Sequence, residues 1–187
     1  MSTVLPSSVR ACTRMGVRVV FAGALAIGLL TSGPASDAHA ATDPKPTSVE
    51  QQYATTTAKR GTSARRVARA ITVATHQKGD RYSYGAAGPN RFDCSGLTYF
   101  SFRKAGFKKI PRTSSAQSHY ARKIPRNKMH RGDLIFFRDG GGVYHVGLFA
   151  GSKNGRRMVL HAPYSGTRVR TERIWTNNWF PGTLRYR

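Results

Sequence analysis

"CSGLTYFSFRKAGF", Cys94 to Phe107, decides how this chain folds. At helical spacing Leu97 and Phe100, joined by Tyr99 and Phe102, form a buried or half-buried side. Asp93, immediately before it, is a residue type that caps helix starts, and Gly106 is one that ends helices. Upstream, "SARRVARAITVATHQKG" from Ser63 places Ala64, Val67, Ala68, Ile71 and Ala74 on one helical face with arginines on the other. Ser63 or Thr62 can cap that helix and Gly79 can end it. Between the two, "GDRYSYGAAGPNRFD" is broken by Gly79, Gly85, Gly88 and Pro89 and reads as a loop. "PRTSSAQSHYAR" suggests a short third helix capped by Thr113 or Ser114.

Downstream the periodicity changes to that of strands. Asp133–Phe137, Val143–Ala150, Arg157–Ala162, Arg168–Trp175 and Thr183–Arg187 are apolar or β-branched runs separated by Gly, Pro, Asn and Ser. Helices first and strands later predict an α+β fold, with N-terminal helices packed on a mainly antiparallel sheet of about five strands.

The first 40 residues carry the marks of a signal peptide. Arg10, Arg14 and Arg18 precede the apolar run Val19–Leu30, and "AHA", Ala38–Ala40, fits the small-residue cleavage pattern, so cleavage is placed after Ala40. The apolar run is shorter than the ~20 residues a membrane span needs, so no stable span is expected after processing. Cys12 precedes that run and leaves with it. Residues 41–62, rich in Thr, Ser, Ala, Gln and Pro without apolar period, read as a flexible linker. The ordered domain is assigned to residues 63–187.

The expected mature chain, Ala41 to Arg187, has one cysteine, Cys94. An exported domain with one thiol cannot form an internal disulfide, and an idle thiol there is exposed to oxidation and cross-linking. The full chain has 31 Lys+Arg against 8 Asp+Glu, a net charge of +23; the leader removes three arginines and Asp37, leaving 28 against 7, or +21. Such a field attracts polyanions. For an exported protein an anionic cell wall is a better match than a specific nucleic acid.

By placement alone Cys94 is either a small buried side chain or a nucleophile. The start of a helix and a nearby imidazole would both lower its pKa, and the backbone N–H groups there can stabilise an oxyanion. Of the histidines after Ala40, His76, His119 and His130 lie in polar surroundings and read as surface residues. His145 interrupts a strand, on the face of Val143, Gly147 and Phe149, and Gly147 leaves room beside it. His161 ends "MVLH" on the face of Val159. On adjacent strands one imidazole can act as base while the other orients it. Cys94, His145 and His161 could instead ligate zinc, but the spacings expected of such sites are absent, so no metal and no cofactor is expected.

Five blocks in order, "YSYGAAGPNRFDCSGLTYF", "IPRTSSAQ", "RGDLIFF", "HVGLFAG" and "LHAPYSGTRVR", resemble the NlpC/P60 peptidases of bacterial cell walls. The resemblance covers about Ser63 to Arg187. It implies a papain-like core and hydrolysis of peptidoglycan stem peptides, most often between D-γ-glutamate and the diamino acid. By position it implies Cys94 as nucleophile, His145 as general base and His161 as the orienting residue. It places Tyr82 beside the pocket and the oxyanion, and Asp93 and Ser95 against the stem peptide. Gly85-Ala86 departs from the Gly-Gly of many members. No wall-binding repeat is visible, and the positive charge is expected to take over that role. A secreted, wall-associated monomer is expected. An amidase or acyl transferase could use the same three residues, and a non-catalytic basic wall-binding protein would account for the charge alone.

Overall fold

The computed structural model describes residues 48–187. The proposed leader, 1–40, and the start of the 41–62 segment lie outside the described residues. Helix α1 runs over Ser48–His76. The linker reading of 41–62 is therefore corrected for residues 48–62, which are helical. They lack an apolar face, and nearly all are exposed. Their Ala, Gln, Lys and Arg favour helix intrinsically, and extension from an already packed helix needs no new nucleus. The hydroxyls of Thr55, Thr56 and Thr62 donate to the carbonyls four residues back, at 2.8, 2.8 and 3.0 Å.

The packed half of α1 buries Ser63, Val67, Ala70, Ile71 and Ala74. Ala64 and Ala68, expected inside, face solvent. Ser63 is buried because its hydroxyl donates to the carbonyl of Arg187, tying the helix to the end of the chain. Two short strands follow, β1 (Arg81–Tyr82) and β2 (Arg91–Phe92), paired in parallel. Helix α2 spans Cys94–Lys104 and α3 spans Ser114–Tyr120, capped by Asp93 and Thr113 respectively.

The main sheet is built from β3 (Arg122–Lys123), β4 (Leu134–Asp139), β5 (Gly142–Lys153), β6 (Arg156–His161), β7 (Arg170–Arg173) and β8 (Trp179–Thr183). Its order is β3-β8-β4-β5-β6-β7, and every neighbouring pair is antiparallel. The α+β architecture is thus as expected, with six strands in place of about five. The last strand lies at Trp179–Thr183, earlier than the expected Thr183–Arg187. Pro181, which has no N–H to give a ladder, masks it in the sequence.

Residues alternating along β4 enter two cores. Leu134 and Phe136 join Val146, Leu148, Leu160, Leu97, Phe102 and the α1 stripe beneath the helices. Ile135 and Phe137 join Phe149, Val159 and Trp179 on the other face. Both faces are covered, which explains the unbroken apolar run "LIFF". Asp133, fully buried, is held by Arg185 at 3.0 Å, by the hydroxyl of Thr183 and by the N–H of His130. This network fastens the last strand to β4.

Candidate active site

Cys94 is the first residue of α2, and its position is set by the cap before it. Asp93 Oδ1 accepts from the N–H of Gly96 at 2.6 Å, from Arg112 Nη1 at 3.0 Å and from Ser95 Oγ at 3.2 Å. Its Oδ2 accepts from Arg112 Nη2 at 2.6 Å and from the N–H of Gly85 at 2.9 Å. Burial alone would raise this carboxyl's pKa, but the bonds from Arg112 and Gly96 outweigh it and hold the group below the ordinary range. The carboxylate is fully used in fixing the start of α2. Gln117, also buried, locks the same turn by donating to the carbonyls of Ser95 and Pro111 at 3.0 and 2.9 Å. The "PRTSSAQ" block thereby acts as a clamp on the cysteine-bearing turn.

The loop before it takes its shape from Gly85, whose φ of +76° is a left-handed conformation. Ala86 has no such requirement. Its carbonyl accepts from the N–H of Asp93 at 2.9 Å and from Arg112 at 3.2 Å, so alanine is accommodated there.

His145 lies on β5 opposite Phe137, their rings 5.5 Å apart. His161 ends β6. The rings meet edge to face, and His145 Nε2 lies 2.7 Å from His161 Nδ1. Gly147 makes this approach feasible: a Cβ there would lie 2.4 Å from Val159 Cγ2 and 3.0 Å from the Cβ of His161. His161 Nε2 continues to Glu172 Oε1 at 2.8 Å, and Glu172 Oε2 accepts from Arg170 Nε at 2.6 Å. Trp175 stacks on Phe137, with centroids 4.3 Å apart and an 8° interplanar angle, and on His161 at 5.3 Å. His145 and His161 are only 6 % and 1 % exposed.

A cleft of about 750 Å³ joins these parts. Tyr82, Cys94, Tyr144, His145, His161 and Glu172 are among the residues that line it. Of the six residues singled out from sequence, four meet in this cleft. Asp93 and Ser95 do not line it; they lie behind the cysteine, within the cap. His76, His119 and His130 are exposed elsewhere. Among the described residues no set of three or more His, Cys, Asp or Glu side chains is arranged to hold a metal ion.

Burial governs the ionisation of the cleft. It pulls His145 down to about 3, helped by the neighbouring His161. It pulls His161 down to about 4 against the opposing pull of Glu172. It pushes the Cys94 thiol above its ordinary value although the N–H groups of Val146, Ser95 and Cys94 itself favour the thiolate. The expectation of a lowered thiol pKa is corrected here: desolvation and the nearby Asp93 outweigh the helix start. Burial and then the Cys94 charge also disfavour ionisation of Tyr82, which stays a phenol. At neutral pH the cleft is lined by a thiol and a neutral imidazole.

Sequence reasoning missed Glu172 and Trp175. A single carboxylate among the arginines of "RVRTERIW", two residues from Arg170, was the available signal for Glu172. Trp175 has none beyond its type.

Residues 79–187 match the NlpC/P60 family. The chain is 39% identical over 109 residues to the probable endopeptidase p60 of Listeria monocytogenes, covering 58% of this chain and 21% of that protein. It is 39% identical over 123 residues to the peptidoglycan endopeptidase RipA of Mycobacterium tuberculosis, covering 59% and 25%. The chain thus spans about a quarter or less of the length of these relatives. The solved P60 domain of an antigen of M. avium subspecies paratuberculosis superposes with a TM-score of 0.56 at 31% identity, covering 66% of this chain and 96% of that one.

Proposed function

The chain belongs to the NlpC/P60 family, and we propose that it is an exported peptidoglycan hydrolase, a cysteine endopeptidase acting on stem peptides. One observation carries this: Cys94, at the start of α2, shares a cleft with a hydrogen-bonded pair of buried histidines. The preferred bond is that between D-γ-glutamate and the diamino acid. Residues 1–40 serve as the export signal, and residues 63–187 form the catalytic domain.

Cys94 Sγ gives its proton to His145 as it attacks the scissile carbonyl. His145 Nε2 is taken up by His161, so Nδ1 is the nitrogen that receives the proton. The N–H groups around Cys94 stabilise the oxyanion, with Tyr82 as a neutral donor at the same wall of the cleft. The His145 imidazolium protonates the leaving amine, and water activated by His145 then releases the acyl group from the thioester. Asp93 and Ser95 support this by holding the α2 turn. The positive charge keeps a monomeric enzyme on anionic wall polymers; its retention on purified sacculi falls as salt rises.

Digestion of peptidoglycan of known chemotype, with products weighed by mass spectrometry, tests the proposal. Stem-peptide fragments released by the wild type and absent with Cys94→Ala are expected. Release of intact stems would identify an amidase, and products carrying a new amine an acyl transferase. Undiminished cleavage by Cys94→Ala would overturn the mechanism.

A further inference from the structure

Glu172 ends a line of hydrogen bonds that begins at the cleft. Its carboxylate faces His161 Nε2 at 2.8 Å, and His161 Nδ1 faces His145 Nε2 at 2.7 Å. Burial works against the ionisation of Glu172, but the bond from Arg170 and the facing His161 hold its carboxyl below the ordinary range, so it is an acceptor only. His161 Nε2 must then carry the proton of that bond. A neutral imidazole carries one proton, so His161 Nδ1 is left as an acceptor. His145 Nε2 must in turn be the donor, and the lone pair of a neutral His145 falls on Nδ1.

We propose that Glu172 is a positioning residue of the catalytic line, setting the tautomer of His161 and through it that of His145. This rests on the cysteine-peptidase reading for its consequence in turnover, though not for the tautomers themselves. When Cys94 Sγ–H breaks and His145 Nδ1–H forms, the new imidazolium keeps its Nε2–H bond to His161. The carboxylate of Glu172 opposes the new positive charge from the far end, and no further proton has to move. With the opposite polarity, His161 would donate from Nδ1 and His145 would present an N–H to the thiol, with no base. The other ionisable groups lining the cleft around the pair are Cys94, Tyr82, Tyr144, Tyr164, Arg170 and Arg173. None of them hydrogen-bonds to either ring, so among the described residues Glu172 alone sets the polarity.

Arg170 makes the test sharp. In Glu172→Gln the amide oxygen is drawn to the Arg170 guanidinium, which can only donate, and the amide N–H then faces His161 Nε2. The whole line inverts with almost no change in shape. Nitrogen-15 NMR of histidine-labelled protein reads this directly. In the wild type His145 Nδ1 is expected to be pyridine-like and Nε2 pyrrole-like, and Glu172→Gln to exchange them. Its kcat is expected to fall by about 10- to 1000-fold, less than the ~10⁴ seen when a directly orienting carboxylate is replaced by its amide, with KM within about twofold. Glu172→Asp is expected to recover part of the loss. A wild-type His145 protonated at Nδ1, or a Glu172→Gln variant with unchanged tautomers and unchanged kcat, would overturn the proposal. Should the wild type cleave no peptidoglycan yet show the expected tautomers, the positioning role stands and the peptidase reading fails.

Discussion

His145 Nε2 and His161 Nδ1 lie 2.7 Å apart, which commits one nitrogen of each ring to the other and leaves His145 only Nδ1 with which to meet a thiol. The contact is supported from two sides. Gly147 clears the space for it, and Trp175 stacks over it.

The first consequence concerns His161. His161→Ala removes the partner of His145 Nε2 and frees the ring to turn. We expect kcat to fall between about 10²- and 10⁴-fold, the range expected when an orienting residue is lost. His161→Gln, which can accept from the same N–H, is expected to lose less. Steady-state cleavage of a synthetic stem peptide checks this, and equal losses for the two variants would contradict it.

The second concerns the thiol. Because burial raises the Cys94 pKa, alkylation by iodoacetamide at pH 7 should be slower than for a free cysteine peptide. The rate should keep rising through and beyond pH ~8.5, the ordinary cysteine value. A fast, pH-independent plateau near pH 6 would reveal a thiolate–imidazolium pair and contradict the neutral resting state.

The third is a stability profile. Both histidines are about 6.5 when unfolded, and their folded values lie near 3 for His145 and 4 for His161. Well above pH 6.5 both states are neutral and the pair has no pH effect on stability. Below it the unfolded chain takes up protons that the folded one refuses, so stability declines as pH falls from 6.5 toward the folded values. The slope is about 1.4 kcal/mol per pH unit for each histidine while that lasts. Thermal melts between pH 7.5 and 4.5 should show the decline, and His145→Gln should flatten part of it. A melting temperature constant across that range would contradict the burial argument.

The layout of helices and strands was legible because its signals are local: caps at Asp93 and Thr113, apolar alternation in β5 and β6, and glycine-rich breaks between them. The cysteine and the two histidines were legible because each is out of place in its surroundings. What was missed lacks a local signal or depends on contacts distant in sequence. The first half of α1 has no buried face to betray it, and Pro181 hides the last strand. Glu172 looks like a solvated charge among arginines until β7 is laid beside His161. Asp93 carries two readings: its family position implies substrate contact, and the structure surrounds it with five donors from its own chain.

Asp93 and Arg112 supply the last prediction. If Asp93 serves the cap, Arg112→Met should act chiefly on stability and on the position of Cys94. The carboxylate would keep its N–H donors but lose its counter-ion in a nearly buried setting. We expect a loss of about 2–3 kcal/mol, below the 3–5 typical of fully buried pairs because the Arg112 side chain is 33% exposed. The pH dependence follows from the lowered carboxyl pKa. The wild type gains stability from this pair above the ordinary carboxylate range and loses it as pH falls through the depressed folded value. In Arg112→Met the folded carboxyl loses most of that depression, so acidification costs the variant less stability than it costs the wild type. Urea unfolding at several pH values measures it, and peptide kinetics run beside it separate the two roles. A stable variant with raised KM and unchanged kcat would return Asp93 and Arg112 to substrate recognition. A destabilised variant with lowered kcat and little change in KM would assign them to holding Cys94 at the head of α2.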